Sequence, residues 1–599
     1  MTTANAQAAY LYKRLAHAQQ IRVLDLAPRS AGDVLSGTLR IVDLPRWPHY
    51  EALSYQWGEP AKSQILTLED GSAAFITSSL HQALCDLRHE EEACRTIWAD
   101  GICINQDDQQ ERQRQVAMMG AIYQKAVRVI TYIGPANARS SSAISFARYL
   151  VAYTRSLHYE ESVGLLSASE IGDSGLPLSH DIRWGALRDI LLRGWVGCTA
   201  ARANGACRQA DTVQASRSWC AQEFTLNNNL MVMCGRLEMP DWELLPDLVQ
   251  LVFRRELPPF ILPNHMENDS LAECLYVMMR LRLSTLHGRR CSLFPLLQLL
   301  HPLRTTDPRD KVYSVLGLAS DEDRASVPID YDISPEQLYI SVAKYLVLAG
   351  DGINLIVSNA QQKTLKLPSW VPDWSTWQYG HNGTLLSAGY TASGYTKAVM
   401  ELQGDTQLRV SGSLISKIVR LGTNIGDHYS SSTASDELST NLHWGQWLQG
   451  QLEMVQQLCS YPDGHSAPVD VLWRTLIGNI TFDERAAESD YRAYYEAHVR
   501  LGEQSSAAEK RMAREFYNAT RRRSRYRRLA VTASGHLCAV PQIGDVGDWL
   551  CLFHGAEHLF LVRSRGKDFV YLGHAYAHGL MNGEGLRTEG VKAGSITLV

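Results

Sequence analysis

The feature that most constrains the fold lies between residues 20 and 135, where short apolar runs alternate with amphipathic segments at tight spacing. Ile21–Leu26 and Leu39–Leu44 read as strands, and Ala52–Trp57 as another that ends at Gly58. Ser79 is placed to N-cap a helix that carries Leu80, Leu84 and Leu87 on one face. After the charged break His89–Glu92, Thr96–Ala99 reads as a short buried strand ending in Asp100. A second helix opens with Asp108 three residues before Glu111, the spacing of a capping box. It presents Val116, Met119, Ile122 and Ala126 at helical intervals. Val127–Ile133 is a further strand, stopped by Gly134-Pro135. Strand–helix–strand–helix–strand with short connections predicts a parallel sheet. Such a sheet offers functional groups at the carboxyl ends of its strands. Here those ends carry Trp57-Gly58 and the stretch Asp100–Gln106.

The rest of the 599-residue chain divides by pattern. Residues 236–366 read as mainly helical, with apolar periodicity in Leu271–Leu283 and Pro335–Leu348. From 367 to 599 short β-like runs (Leu408–Val410, Leu550–Phe553, Phe560–Val562, Phe569–Leu572) alternate with Gly and Asp turns, interrupted by a helical insertion at about 440–520. Hydrophobic residues at 45% and charged residues at 20% are those of a globular chain rather than a disordered one. A net charge of −5 gives no electrostatic reason to expect nucleic acid or a membrane surface as partner.

Met1–Ala9 has no apolar segment of a secretory signal, and no run is long enough to span a bilayer, so a cytoplasmic location with free thiols is expected. The twelve cysteines include Cys85, Cys94 and Cys103 at nine-residue spacing but no C-x-x-C pair, so no metal site is expected. The four N-x-S/T matches at Asn268, Asn382, Asn479 and Asn518 are then chance matches. No nucleophile elbow, Walker loop, dinucleotide fingerprint or H-E-x-x-H is present. His574 and His578 are i, i+4, but lie in a Gly-rich β-like stretch and read as structural. The basic run Arg521–Arg528, with Lys510, Arg511 and Arg514, reads as the solvated end of a helix entering a strand, the alternative being a polyanion-binding or nuclear-targeting segment.

Three separated stretches carry a family resemblance: YEALSYQWG at 50–58, IWADGICINQDDQQERQRQVAMMGAIYQKAVRVITYIG at 97–134 and SRSWCAQEFTLNNNLMVMCG at 216–235. In this order they resemble the three blocks of the fungal heterokaryon-incompatibility (HET) domain. DPRDKVYSVLGL at 307–318, LPSWVPDWS at 367–375, RRLAVTASGHLCAVP at 527–541 and GHAYAHGLMNGE at 573–584 resemble segments that follow the domain in long family members. The resemblance sets the HET domain at 50–235, with 1–49 supplying lead-in strands that pack on it. One departure is Gly197–Ala215, an Ala-rich stretch without apolar periodicity and an atypical insertion for the family.

The resemblance implies a TIR-like, flavodoxin-like α/β domain, followed by the helical region and the β-rich C-terminal region. It implies a role in fungal self/non-self recognition and programmed cell death. The alternatives are an enzyme or accessory protein of a secondary-metabolite cluster, or a non-catalytic scaffold. Because some TIR domains cleave NAD, NAD is the implied substrate, with no cofactor otherwise indicated. A small-molecule substrate, an allelic or non-allelic incompatibility partner and a homo-oligomer are all compatible with the pattern.

Breaking a glycosidic bond through a cation-like state calls for a carboxylate beside the ribose. The candidates are Glu111, Asp100 and Glu223, with Trp57, Asn105, Gln106 and Arg217 as ligand-binding groups. Each also has a structural reading. Glu111 completes the capping box with Asp108, Glu223 pairs with Arg217, Asp100 caps its loop, Asn105 and Gln106 order that loop, and Trp57 packs in the core. Glu51 reads as structural or solvated, and Tyr123 as core.

Overall fold

The apolar runs of the N-terminal half assemble into one nine-stranded sheet in the order β5-β4-β2-β1-β6-β3-β7-β8-β9. The strands are β1 (Gln20–Leu26), β2 (Ser36–Asp43), β3 (Glu51–Tyr55), β4 (Gln64–Leu68), β5 (Ala73–Ile76), β6 (Arg95–Trp98), β7 (Arg128–Tyr132), β8 (Leu230–Cys234) and β9 (Leu237–Met239). This computed structural model describes residues 8–599 except 32–33, 47, 92, 157–175, 179, 192, 194–217, 240, 242, 245–246, 249–250, 252–269, 302, 304, 359–362, 377–388, 425–446, 449, 457–460, 502–503 and 525. Two compact units result, 1–332 and 333–599.

In the first unit, β6, β3, β7 and β8 run parallel, and β3 and β8 are buried at every position. Ile97 and Val129 are fully buried, as expected for a sheet covered on both faces. The sheet is nevertheless mixed rather than parallel throughout: β1 pairs antiparallel with both β2 and β6, and hairpins add β5 and β9. The nine residues between β1 and β2 are too few for a parallel crossover, which needs about a dozen or more.

Helix α1 (Ser78–Leu87) buries Leu80, Leu84 and Leu87, but its cap is Thr77, whose hydroxyl accepts the Leu80 N–H, and not Ser79. After α2 (Asp100–Cys103), α3 (Gln109–Lys125) is capped by Asp108, which accepts from the Glu111 N–H at 3.0 Å. The expected box is half formed, because the Glu111 side chain turns away from the Asp108 backbone. The buried face of α3 is also rotated from the expected one. Glu111 and Gln115 face inward with Met119, Ile122 and Tyr123, while Val116 is half-buried. Further helices of this unit are α4 (Ser140–Ser156), α5 (Ile182–Leu191), α6 (Cys220–Thr225), α7 (Ser270–Leu286), α8 (Leu293–Leu299), α9 (Asp310–Leu316) and α10 (Asp321–Ser326).

The second unit begins with α11 (Pro335–Leu348), closed at its N-terminus by a full Ser334–Gln337 capping box, and α12 (Gly352–Val357). Its strands are β10 (Met400–Gln403), β11 (Gln407–Asn424), β12 (Arg527–Thr532), β13 (Leu537–Pro541), β14 (Trp549–Phe553), β15 (Leu559–Arg565), β16 (Asp568–Ala577) and β17 (Ala593–Leu598). Pairings β11–β12–β13–β16–β15–β14 return to β11, so six antiparallel strands close a barrel. The 18-residue β11 makes closure feasible, bending at register shifts to reach β14 with one part and β12 with another. Alternate residues point inward: Ala530, Leu550, Leu552, Leu559 and Leu561 fill the core.

Leu529, Val531 and Leu537 face the other way, onto α13 (Pro468–Leu476), α14 (Arg492–Val499) and α15 (Ala507–Ser524), the helical insertion. The basic run that ends α15 and enters β12 is not merely solvated. Arg523 and Arg527 are buried, and Arg527 donates to the His574 carbonyl at 2.8 Å.

The 367–375 segment folds against this barrel. Trp370 and Trp374 are buried, and Asp373 holds the turn by accepting the N–H groups of Thr364, Leu365 and Ser375. The Ser369 hydroxyl accepts from the Tyr571 N–H on β16, tying the segment to the 573–584 region.

Candidate functional site

The carboxyl ends of β3 and β6 meet through an indole and a carboxylate. Chain direction reverses after Trp57 because Gly58 adopts φ +65°, and a Cβ there would lie 2.2 Å from the Ser79 Oγ. This turn delivers the Trp57 Nε1–H to Asp100, 2.9 and 3.1 Å from its two carboxylate oxygens. Asp100 opens α2, where a carboxylate also faces favourable helix-terminal N–H groups. Gln106 donates to the Asp100 carbonyl at 2.8 Å, closing the loop beneath it. The Asn105 side chain accepts from the Asp107 N–H, so it orders that loop.

Beside these ends, α6 carries Glu223, 3% exposed. Ser54 on β3 donates its hydroxyl to the Glu223 Oε2 at 2.5 Å. Tyr123, on the buried face of α3, donates to the Leu53 carbonyl at 3.3 Å. Burial first, and then the charges of Glu223 and Asp100, push its phenol well above the ordinary value. Tyr123 is therefore a neutral donor near both acids. Gly101 permits close approach here too, since a Cβ would sit 2.4 Å from the Tyr55 hydroxyl. The helix holding Glu223 is fixed from below. Gln222 donates to the Ser314 carbonyl at 2.6 Å, and Gly317 leaves room for that amide. The 307–318 segment thus braces α6.

Glu111 is differently engaged. Arg22 on β1, 1% exposed, donates to both of its oxygens (2.5 and 2.9 Å), and the Asn105 N–H donates to Oε1 at 2.7 Å. Arg22 also donates to the carbonyls of Lys13 and Cys103. This buried pair pins the 104–108 loop to β1. Glu51 is similarly tied, bound by Arg95 and Arg128. Burial disfavours its charge, but the two guanidiniums outweigh that and hold the carboxyl below its ordinary range.

The structure thus brings together Trp57, Asp100, Gln106 and Glu223, with Ser54, Tyr55 and Tyr123 added by the fold. Arg217 lies outside the described residues, as does Gly197–Ala215. Arg22 had no sequence signal beyond being the one basic residue of a largely apolar strand. The grouping supplies two carboxylates, an indole and a neutral phenol, a set suited to hydroxyl-bearing ligands and to a developing cation. Among the described residues no cluster of His, Cys, Asp and Glu is arranged to hold a metal.

These elements coincide with a family model. Residues 50–223, ending on the buried Glu223, match the heterokaryon incompatibility protein (HET) family. Residues 50–223 thus carry a HET domain. Residues 468–592 match the Het-6 β-barrel domain, which here comprises the helical insertion and five of the six strands that close the barrel. The chain is 25% identical to heterokaryon incompatibility protein 6, OR allele, of Neurospora crassa, over 94% of each chain. No solved structure matches it. No described helix is long and apolar enough to cross a membrane.

Proposed function

We propose that this protein acts as an incompatibility factor in fungal self/non-self recognition. The 1–332 unit is the effector that triggers cell death, and the barrel-containing unit senses the protein partner that releases it. The single observation that carries this reading is the end-to-end likeness to heterokaryon incompatibility protein 6. Likeness over 94% of both chains means the two share an arrangement and not merely a common domain. The setting is the cytoplasm of fused cells.

The effector reading extends to a TIR-like attack on NAD. Four parallel strands with functional groups at their carboxyl ends support it. In this account Glu223 faces the cation that develops as the glycosidic bond breaks, since a buried carboxylate acts with little solvent screening. Asp100, oriented by Trp57, accepts from a ribose hydroxyl. Glu111 becomes a positioning residue, because Arg22 and the Asn105 N–H already engage both of its oxygens.

The test is forced fusion of a fungal strain expressing this chain with strains carrying different incompatibility alleles. At least one pairing should give arrested, dying fusion cells, and only when this chain is present. Uniformly healthy heterokaryons at confirmed expression would overturn the proposal.

A further inference from the structure

A cleft lies away from the Trp57–Asp100–Glu223 cluster, between the N-terminal segment and α3. Its volume is about 80 Å³, and its lining includes Arg14, Leu15, Asp108, Glu111, Arg114 and Gln115. On its floor, Gln115 is 1% exposed. The Gln115 amide orientation is fixed, because its Nε2 donates to the Gln20 carbonyl at 2.8 Å and only nitrogen can do so. Its Oε1 is then buried with no hydrogen-bond partner among the described residues. An orphaned buried acceptor is costly, and a donor brought by a ligand removes that cost.

The rim is cationic. Arg14 and Arg114 are exposed and enter no ion pair among the described residues. Two acids also line the cleft: Glu111 is paired with Arg22, and Asp108 accepts the Glu111 N–H but keeps its charge, so Arg14 and Arg114 leave one positive charge in excess. The His17 imidazole also lines the cleft and lies 3.0 Å from Asp43. The cleft therefore offers two guanidiniums for an anion above one acceptor for a hydroxyl.

We propose that this cleft binds a small phosphorylated, hydroxyl-bearing molecule of the sugar-phosphate class. The phosphate is taken by Arg14 and Arg114, and a hydroxyl donates to the Gln115 Oε1. Arginine forks match phosphate oxygens in charge and geometry. The occupied cleft fastens the N-terminal segment to α3, one turn from the Arg22–Glu111 pair. This inference does not depend on the NAD reading, since the two sites share no residue assigned to chemistry.

The experiment is titration calorimetry on the full chain with ribose 5-phosphate, inorganic phosphate and ribose as separate probes. Ribose 5-phosphate should bind more tightly than phosphate, and ribose alone should not register. The double variant Arg14→Glu/Arg114→Glu, confined to exposed positions, should weaken ribose 5-phosphate roughly a hundredfold or more. Gln115→Leu should bring ribose 5-phosphate down to the affinity of inorganic phosphate without altering phosphate itself. The proposal is overturned if ribose 5-phosphate does not bind, if it binds no better than phosphate, or if the double variant binds it as the parent does.

Discussion

Replacing Glu111 by Gln removes the counter-charge of a guanidinium that has almost no access to water. Arg22 is 1% exposed, and its two terminal nitrogens reach the two Glu111 oxygens. An amide keeps one acceptor but turns a donor toward the guanidinium and leaves the positive charge uncompensated. Breaking a buried pair from one side costs roughly 3–5 kcal/mol, about a fifth or more of the total stability of a typical domain. At roughly 2–4 °C per kcal/mol for a unit of this size, melting should fall by about 10 °C. Differential scanning calorimetry of Glu111→Gln, Arg22→Met and the double variant is the assay. The double variant should be less destabilised than the sum of the single changes, because neither charge is then left alone. Glu111→Gln melting within about 1 °C of the parent, some 0.5 kcal/mol or less, would refute the reasoning.

Other expectations follow from the same contacts. Glu51 has a depressed folded pKa, so its ion pairs contribute stability above the ordinary value of 4.5 and lose it as pH falls through the folded one. Urea unfolding between pH 6 and 3 should show a shallower acid-side loss in Glu51→Gln than in the parent. Gly317→Ala would place a Cβ 2.5 Å from the Gln222 Oε1, costing about 1–3 kcal/mol and loosening α6, read as faster amide exchange at 220–225. Asp373→Ala strands three backbone N–H groups, so the 333–599 unit should lose roughly 3 kcal/mol or more, with changed Trp370 and Trp374 fluorescence.

What was legible in the sequence was what depends on local periodicity. β1, β3, β6 and β7 appear near their expected places, as do α1 and α3, because each buries an apolar stripe longer than its capping uncertainty. The α1 cap shifted because Thr77, Ser78 and Ser79 are three consecutive candidates, and spacing alone does not choose among them. The hairpin β4–β5 escaped notice. Its strands of five and four residues are partly exposed, with Ile65 and Phe75 facing out, so no clean alternation marks them. Antiparallel entry of β1 and closure of the barrel by β11 are non-local pairings that leave no period in the chain.

The site was legible by the same rule. Trp57, Asp100 and Gln106 follow strands, and Trp57 and Gln106 both donate to Asp100, but Ser54 reaches Glu223 across 169 positions and Arg22 reaches Glu111 across 89. Those partners became visible only in three dimensions, and they distinguish Glu111, bound by a buried guanidinium, from Glu223, which accepts a serine hydroxyl.

The central claim is tested most directly by expressing the full chain and Glu223→Gln at equal levels in a fungal host, fusing each with a strain whose allele triggers death in the pairing test, and counting viable fusion cells and measuring NAD in the same cultures. Ser54 can still donate to the amide oxygen, and equal accumulation of the two chains is checked by immunoblot. The account predicts that the parent depletes NAD and kills, while Glu223→Gln leaves both NAD and viability at the level of an empty-vector control. A stably accumulated Glu223→Gln that kills and depletes NAD as the parent does would contradict it.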